Sequence, residues 1–249
     1  MTKAHFDKSP LAEVIFGVEF NAESFSTIHF GLYWQEIKEK FTQYPLDRPP
    51  IGNNQLISLL PSLRRVWFES EDKKELIQLQ ENRFYYNWRK QNQEYPHFEQ
   101  IYPLFFAEWE RFTHWWFKTE EKELQPIRYQ MSYVNQIEAD LGWHGVEDST
   151  NIFSFLESNW SSFTLKPNVF NSNLEFILPE EKGVISVTVN QGIKPPNNTQ
   201  VLTLNLTTIS QNTDTEINTW FKLAHQSTVE VFLSLISQET KNLWGLKWQ

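Results

Sequence analysis

Strict alternation of apolar and polar side chains is the feature that most constrains the fold of this chain. Alternation places successive side chains on opposite faces of an extended backbone and predicts strands that are buried on one face. In the first such segment, 13–20, the apolar face carries Val14, Phe16, Val18 and Phe20. The pattern recurs at 63–70, 75–80, 83–89, 127–137, 173–178, 184–190 and 200–210.

Helices are predicted between these strands, where apolar residues recur every three or four positions. The longest apolar stripe lies within 95–117 and contains Pro103. Because proline removes a backbone donor and clashes with the preceding turn, this helix either bends at Pro103 or begins there. The other helices are predicted from 24–27 to 41, over 148–160 and over 214–241, and a loop is predicted over 44–54.

The two halves of the chain, 1–122 and 123–249, share one order of elements: strand, helix, three strands and long helix. The match resembles an internal repeat in its order of elements, without residue-level identity. Antiparallel strands with one apolar face need a helical cover that removes this face from water. The sequence therefore predicts an α+β fold of two β-α-β-β-β-α halves in one compact unit, with antiparallel sheet covered on one side by long helices. It leaves open whether the halves share one continuous sheet.

Composition excludes several kinds of site. Cysteine is absent, which excludes disulfides, zinc–thiolate sites, iron–sulfur clusters and cysteine nucleophiles. The eight glycines form neither a phosphate-binding loop nor a Gly-x-Ser-x-Gly nucleophile elbow. The 20 Phe, 11 Trp and 8 Tyr predict a thick aromatic core instead. We expect no cofactor, no metal and no catalytic residue.

The charge balance bears on the partners. The net charge is −9 with only seven arginines and no basic tract, so nucleic acid is an unfavourable partner. The N-terminus lacks the basic-then-apolar pattern of an export signal, and no apolar run approaches the roughly 18–20 residues of a membrane span. We therefore expect a soluble, cytoplasmic protein without a membrane partner.

Five stretches together carry a family resemblance: PLAEVIFGVEF, LQENRFYYNWR, YPHFEQI, RYQMSYVNQI and AHQSTVEVFLSLI. The chain resembles a sporadically distributed family of bacterial proteins of about this size, which begin with such a strand and carry an Asn-Trp-Arg tripeptide. The resemblance implies no particular activity and no catalytic residues. The patchy distribution of the family implies a place in mobile cassettes, such as defence or toxin–antitoxin loci.

The order of elements is also similar to that of two further fold groups. One comprises saddle-shaped, two-repeat folds that bind DNA, and the other comprises helix-grip folds that enclose apolar ligands. Because one fold supports many functions, neither likeness assigns a function to this chain. The acidic charge balance argues against the DNA-binding version.

Polar residues on two of the predicted strands indicate a recognition surface. Alternation places them opposite the apolar residues of the same strands, so they share a face if the strands are neighbours. Arginine binds carboxylate or phosphate with two hydrogen bonds, and Arg and Tyr are enriched among residues that dominate binding energy. The alternative is an ordinary solvent-facing sheet with cross-strand pairs. The predicted binding residues are Arg83, Tyr85, Asn87, Arg89, Arg128 and Gln130.

Three weaker candidates have simpler structural explanations. His144, Glu147 and Asp148 could form an acid/base or metal site, or simply a solvated loop. His225 lies next to the apolar stripe of the last helix, which is typical of a hydrogen-bonded, half-buried histidine. The aromatic stripe of 98–116 could line a ligand cavity or pack as core.

Three functions follow as hypotheses from these observations. The first is a non-enzymatic protein-binding component of a bacterial accessory cassette, such as a defence or antitoxin module. The second is a small-molecule or nucleotide binder, for an anionic ligand, with a cavity between sheet and helices. The third is an enzyme that uses His144 with Glu147 or Asp148.

Overall fold

A computed structural model describes residues 4–49, 65–91, 95–156, 164–194 and 198–248. Its strands are β1 (Ala4–Phe6), β2 (Leu11–Asn21), β3 (Leu46–Arg48), β4 (Arg65–Glu69), β5 (Glu75–Gln80), β6 (Arg83–Arg89), β7 (Gln125–Ile137), β8 (Asn171–Ile177), β9 (Gly183–Lys194), β10 (Thr199–Ser210) and β11 (Leu246–Trp248). Its α-helices are α1 (Thr27–Ile37), α2 (His97–Glu120), α3 (Ser149–Ile152), α4 (Ile217–Leu235) and α5 (Gln238–Leu243).

Nine of the strands form one antiparallel sheet, in the order β3-β4-β5-β6-β2-β7-β10-β9-β8. Within each half of the chain, a three-stranded meander continues onto an earlier strand of that half: β4-β5-β6 onto β2, and β8-β9-β10 onto β7. Helices pack on this sheet, so the predicted α+β class with antiparallel sheet is confirmed. The sequence left open whether the two halves share one sheet, and the structure has a single nine-stranded sheet. The terminal strands β1 and β11 form a separate antiparallel pair.

By its internal contacts the chain divides into two compact units. Unit 1 comprises Met1–Ala12, Ser132–Ile209 and Phe221–Gln249, and unit 2 comprises Glu13–Met131 and Ser210–Trp220. Each unit contains its own part of the sheet and its own apolar core.

The core of unit 2 forms between the sheet and α2. Alternation along β2 turns Phe16 and Phe20 to the helix side, where both are fully buried. Phe16 stacks on Phe105 of α2 with ring centroids 5.1 Å apart, and Phe84 of β6 stacks on Phe112 at the same distance. Each such ring removes about 150–250 Å² from water, so this aromatic layer holds the helix on the strands.

Proline 103 lies inside α2, which begins six residues earlier at His97. The alternative that this helix begins at Pro103 is therefore wrong. Phe98 and Tyr102, in the turns around the proline, are buried and contact Phe16. Their burial offsets the hydrogen bond that proline removes from a helix interior.

The core of unit 1 forms between β9, β10 and the helices at the end of the chain. Its members include Val187, Leu204, Leu235 and Trp244, all buried. Trp244 also donates its indole N–H to the carbonyl of Leu141 at 3.0 Å. The indole N–H of buried Trp244 therefore has a hydrogen-bond partner, as the N–H of a buried tryptophan usually does.

Three local predictions differ from the structure. The single final helix over 214–241 is wrong, because α4 ends at Leu235 and Ser237 caps a new helix by accepting the Thr240 N–H at 3.0 Å. The predicted loop over 44–54 contains β3, and its later part lies outside the described residues. The helix predicted over 148–160 is reduced to the single turn of α3, and 157–163 lie outside the described residues.

Candidate functional site

The predicted binding residues gather on the face of the sheet that is turned away from α2. In the antiparallel register of β2 and β6, Glu13 lies opposite Arg89, and Gly17 lies opposite Tyr85. Arg128 reaches this face as well, since its guanidinium lies 3.5 Å from Glu19. We call this surface of unit 2 the arginine face; it comprises Glu13, Gly17, Glu19, Arg48, Arg65, Trp67, Glu69, Gln78, Arg83, Tyr85, Asn87, Arg89, Arg128 and Gln130.

A chain of side-chain hydrogen bonds crosses this face from β5 to β2. Gln78 donates to Asn87 at 2.7 Å, and Asn87 donates to Glu13 at 2.7 Å. Arg89 donates to the same Glu13 oxygen at 3.0 Å and also to Glu69. Because Asn87 is only 1% exposed, these bonds satisfy polar groups that would otherwise be buried without partners.

Three arginines surround the indole ring of Trp67. The guanidinium carbons of Arg48, Arg65 and Arg89 lie 4.6, 5.4 and 5.1 Å from the ring centroid. These distances fall within the range of cation–π attraction, which contributes about 0.5–1 kcal/mol at exposed sites and more when water is excluded. The Trp67 indole N–H and the Arg65 guanidinium both donate to Gln78, at 3.1 and 2.7 Å, so the indole and this arginine are fixed together.

The other side of the arginine face centres on Glu19 and Tyr85. Arg83 and Arg128 both pair with Glu19, at 3.4 and 3.5 Å. The Tyr85 hydroxyl donates to Gln130 at 3.3 Å, and its ring lies across the backbone of Gly17. A Cβ atom on Gly17 would lie 2.5 Å from Tyr85 Cδ1, so glycine is required there by close approach.

Charge on the arginine face is unevenly compensated. Arg89 has two carboxylate partners, and Arg83 and Arg128 share one. Among the described residues, Arg48 and Arg65 have no carboxylate partner, and the Nε atom of each is buried and donates to no acceptor. Burial lowers the pKa of Arg65, as expected of a cation that is partly removed from water without a counter-ion. Unused donor capacity is therefore concentrated at Arg48 and Arg65, beside Trp67.

The six predicted binding residues thus share one face, although two of them are buried. Tyr85 and Asn87 are 6% and 1% exposed, so they support the network instead of offering free contacts. Sequence reasoning missed Arg48, Trp67 and the acidic partners of the arginines. Arg65 and Trp67 do alternate in the strand RVWFE, which was the available signal, whereas Arg48 fell in a predicted loop.

The alternative sites find simple explanations. His144 is 70% exposed, with its Nδ1 3.1 Å from Asp148, while Glu147 pairs with Lys166 in solvent. We therefore abandon the acid/base hypothesis for this loop. His225 contacts the Tyr133 hydroxyl at 2.8 Å, and the described residues contain no cluster of ligands suited to a metal ion.

The aromatic stripe of α2 packs as core. Phe105, Phe112 and Trp116 are each at most 1% exposed, so these side chains of the stripe are buried in the core of unit 2.

Comparison with protein-family models, with curated proteins and with solved structures gave no match to this chain. The resemblance to a bacterial family, based on the five sequence stretches above, therefore stays a prediction. Across the part of the chain that the structure describes, no helix combines the length and apolar character needed to span a membrane.

Proposed function

We propose that this chain is a non-enzymatic binding protein whose arginine face receives an acidic segment of a protein partner. The observation that carries the proposal is the gathering of five of the seven arginines on one sheet face of a chain with net charge −9. A cluster of positive charge on a chain that is negatively charged overall favours recognition of a local anionic group over non-specific attraction.

Arg48, Arg65 and Trp67 form the part of this face best suited to bind. Both guanidiniums lack a carboxylate partner among the described residues and have unused donors, and both lie within 5.4 Å of the centroid of the Trp67 ring. Arginine and tryptophan are the residues that most often dominate binding energy at protein interfaces. A carboxylate side chain of a partner can accept two parallel hydrogen bonds from a guanidinium, which fixes its orientation.

The biological setting of this function rests on the family resemblance. The resemblance favours a role in a bacterial accessory cassette, such as one for antiphage defence or antitoxin action. A genomic neighbour with a strongly acidic exposed segment would be the first partner to test.

Charge reversal of the two arginines tests the proposal. The tagged chain would be expressed beside its genomic neighbours, isolated, and cross-linked to any bound partner, and the linked peptides would be identified by mass spectrometry. We expect an acidic partner segment linked to β3 or β4, and loss of the partner in the variant Arg48→Glu/Arg65→Glu. The matched control Lys118→Glu/Lys222→Glu makes the same change in net charge at exposed helix positions and should retain the partner.

Two results would contradict the proposal. One is equal loss of the partner in both charge-reversal pairs, because the effect would then come from net charge alone. The other is a partner that cross-links only outside the arginine face and survives the reversal.

Binding of a small molecule is a second candidate, because the helix side of unit 2 carries a groove over a buried polar cluster. Two acidic and two basic side chains line this groove together with Ile37, so its charge does not select the anionic ligand expected from the sequence.

A further inference from the structure

The two edge strands of the nine-stranded sheet differ in how well they are protected against pairing with a further strand. The edge strand β3 has only three residues, and two of them are charged. The other edge strand, β8, has seven residues with a single charge, Glu175, and contains neither lysine nor proline. Short length, charge and proline are the usual devices that prevent an edge strand from pairing with another chain. The sequence of β8 therefore leaves its edge open to such pairing.

The hydrogen-bond pattern shows which backbone groups of β8 face outwards. The Leu178 N–H donates to the carbonyl of Gly183 at 2.9 Å, and this pair continues the register of β8 with β9. In an antiparallel pair only alternate residues bond to the neighbouring strand, so the even-numbered residues of β8 bond to β9. Among the described residues, no strand pairs with the other side of β8. The backbone groups available there belong to Asn171, Asn173, Glu175 and Ile177.

Apolar side chains on both faces of this edge remain in contact with water. Ile177, the last residue of β8, is 73% exposed, and Val169, two residues before β8 begins, is 57% exposed. On the opposite face, Leu174 and Phe176 pack against the core of unit 1 but are only partly buried. Covering these side chains would remove further apolar area from water, which favours association.

We propose that β8 pairs with β8 of a second copy of this chain, antiparallel and around a two-fold axis at Leu174. Only the odd-numbered residues can form hydrogen bonds across this edge, and this register joins all of them. Asn171 of each copy pairs with Ile177 of the other, and Asn173 pairs with Glu175. Because a two-fold axis repeats every contact, each of these pairs occurs twice in the dimer.

Charge complementarity favours a second copy in this register. Glu175 lies opposite the amide side chain of Asn173, which can donate a hydrogen bond to the carboxylate. A two-fold axis at Glu175 would instead place two carboxylates opposite each other, and like charges in that position are destabilising. A two-fold axis at Asn173 would leave Ile177 without a partner inside β8.

The apolar side chains are complementary in the same register. On the core face, Leu174 lies opposite Leu174 of the second copy, so the apolar core of unit 1 continues across the interface. On the other face, Ile177 lies diagonal to Val169 of the second copy, within reach of a cross-strand contact. The pairing thus covers the exposed apolar groups at both ends of the edge.

Sedimentation of the purified chain over a concentration series measures this association. One copy has a mass of 29.7 kDa, and we expect a reversible shift towards twice that mass, because a single strand pair is smaller than the interface of a permanent dimer. In the dimer, the backbone amides of the odd-numbered residues of β8 should exchange with deuterium more slowly than in the dilute monomer. A chain that stays monomeric up to its solubility limit, or a dimer without this protection, overturns the proposal.

The variant Asn173→Pro tests the backbone pairing. The N–H of Asn173 points away from β9, so the substitution removes two hydrogen bonds from the dimer and none from the sheet of one copy. We expect the dissociation constant of the dimer to rise about tenfold or more, with an unchanged circular dichroism spectrum. A folded proline variant that dimerises as well as the original chain contradicts the proposal.

Two charge substitutions at the same position test the register, whether or not the proline variant folds. Asn173→Lys should tighten the dimer and Asn173→Glu should weaken it, each by about twofold to thirtyfold, because each introduced charge lies opposite Glu175 of the second copy. Thr188 lies opposite Asn173 on β9, and the control Thr188→Glu should change the affinity by less than about twofold. Weakening by the lysine variant, or equal effects of the two glutamate variants, would rule out this register.

Discussion

The arginine face of unit 2 and the corresponding surface of unit 1 are built from the same strand alternation but carry different chemistry. In unit 1 many of the residues that alternate with the core on β9 and β10 carry hydroxyl and amide groups instead of charge. We call this surface the hydroxyl face; it comprises Ser132, Ser186, Thr188, Asn190, Thr203, Asn205 and Thr207. The comparison teaches that strand alternation gives each unit one apolar face, whereas the residues on the opposite face can differ widely between the units.

The two faces also differ in how their side chains depend on one another. On the arginine face, Glu13 accepts from both Asn87 and Arg89, so each residue is a partner of several others. On the hydroxyl face, Ser132 and Thr207 make a single hydrogen bond at 3.0 Å. Substitutions should therefore be costly on the first face and nearly neutral on the second.

Removal of Glu13 gives the largest expected effect. Glu13→Ala should lower the free energy of unfolding by about 2–4 kcal/mol, because it leaves buried Asn87 and Arg89 without their shared acceptor. The exposed Glu175 of unit 1 provides the control, and Glu175→Ala should change stability by less than about 0.5 kcal/mol. Urea unfolding followed by circular dichroism measures both, and equal effects would remove the distinction between the faces.

A methyl group added to Gly17 should have the next largest effect. Gly17→Ala places a Cβ against the Tyr85 ring, and overpacking of this kind costs about 1–3 kcal/mol. Gly192 of β9 is the matched site in unit 1, where an added Cβ would meet, among the described residues, only Val201, at 3.9 Å. Gly192→Ala should therefore be neutral within about 0.5 kcal/mol, or slightly stabilising. Thermal unfolding temperatures that fall equally in both variants would contradict this.

Two substitutions of Trp67 separate its ring from its indole N–H. Trp67→Phe keeps an aromatic ring for Arg48, Arg65 and Arg89 but loses the bond to Gln78, and should cost about 0.5–1.5 kcal/mol. Trp67→Leu removes the ring as well and should cost about 1 kcal/mol more. If both variants unfold at the same urea concentration, the contacts between the three guanidiniums and the ring do not contribute to stability.

The smallest effect is expected on the hydroxyl face. Thr207→Val removes the hydrogen bond to Ser132 and should cost about 0.5–1 kcal/mol. Thr203, a neighbour, makes no such bond with a described residue, so Thr203→Val should be neutral or stabilising because valine favours strands. Unfolding midpoints distinguish the two, and a loss above about 2 kcal/mol for Thr207→Val would show a network that the hydrogen bonds do not reveal.

Much of this fold could be predicted because alternation and helical periodicity are local signals. The strands β5 and β6 have the predicted bounds, and α2 follows the predicted aromatic stripe. Breaks that depend on capping were missed, since Ser237 ends one helical pattern and caps another without interrupting the apolar periodicity.

The candidate site was only partly predictable for a different reason. Alternation tells which residues share a face, but it does not give the register that puts Glu13 opposite Arg89. The acidic partners and Arg48 come from strands far apart in sequence, so a local pattern carries no information about their contact. The face was therefore predicted as cationic and available, whereas its centre proves to be an internally bonded network.

Strand β2 is synthesised long before β6, the strand with which it pairs. Val14 pairs with Trp88, 74 residues further along the chain. At synthesis rates of about 5–20 residues per second, β2, with its four apolar side chains, remains unpaired with β6 for on the order of 4–15 s. During translation, this stretch is consequently the place where a chaperone would bind first or where nascent chains would stick to one another.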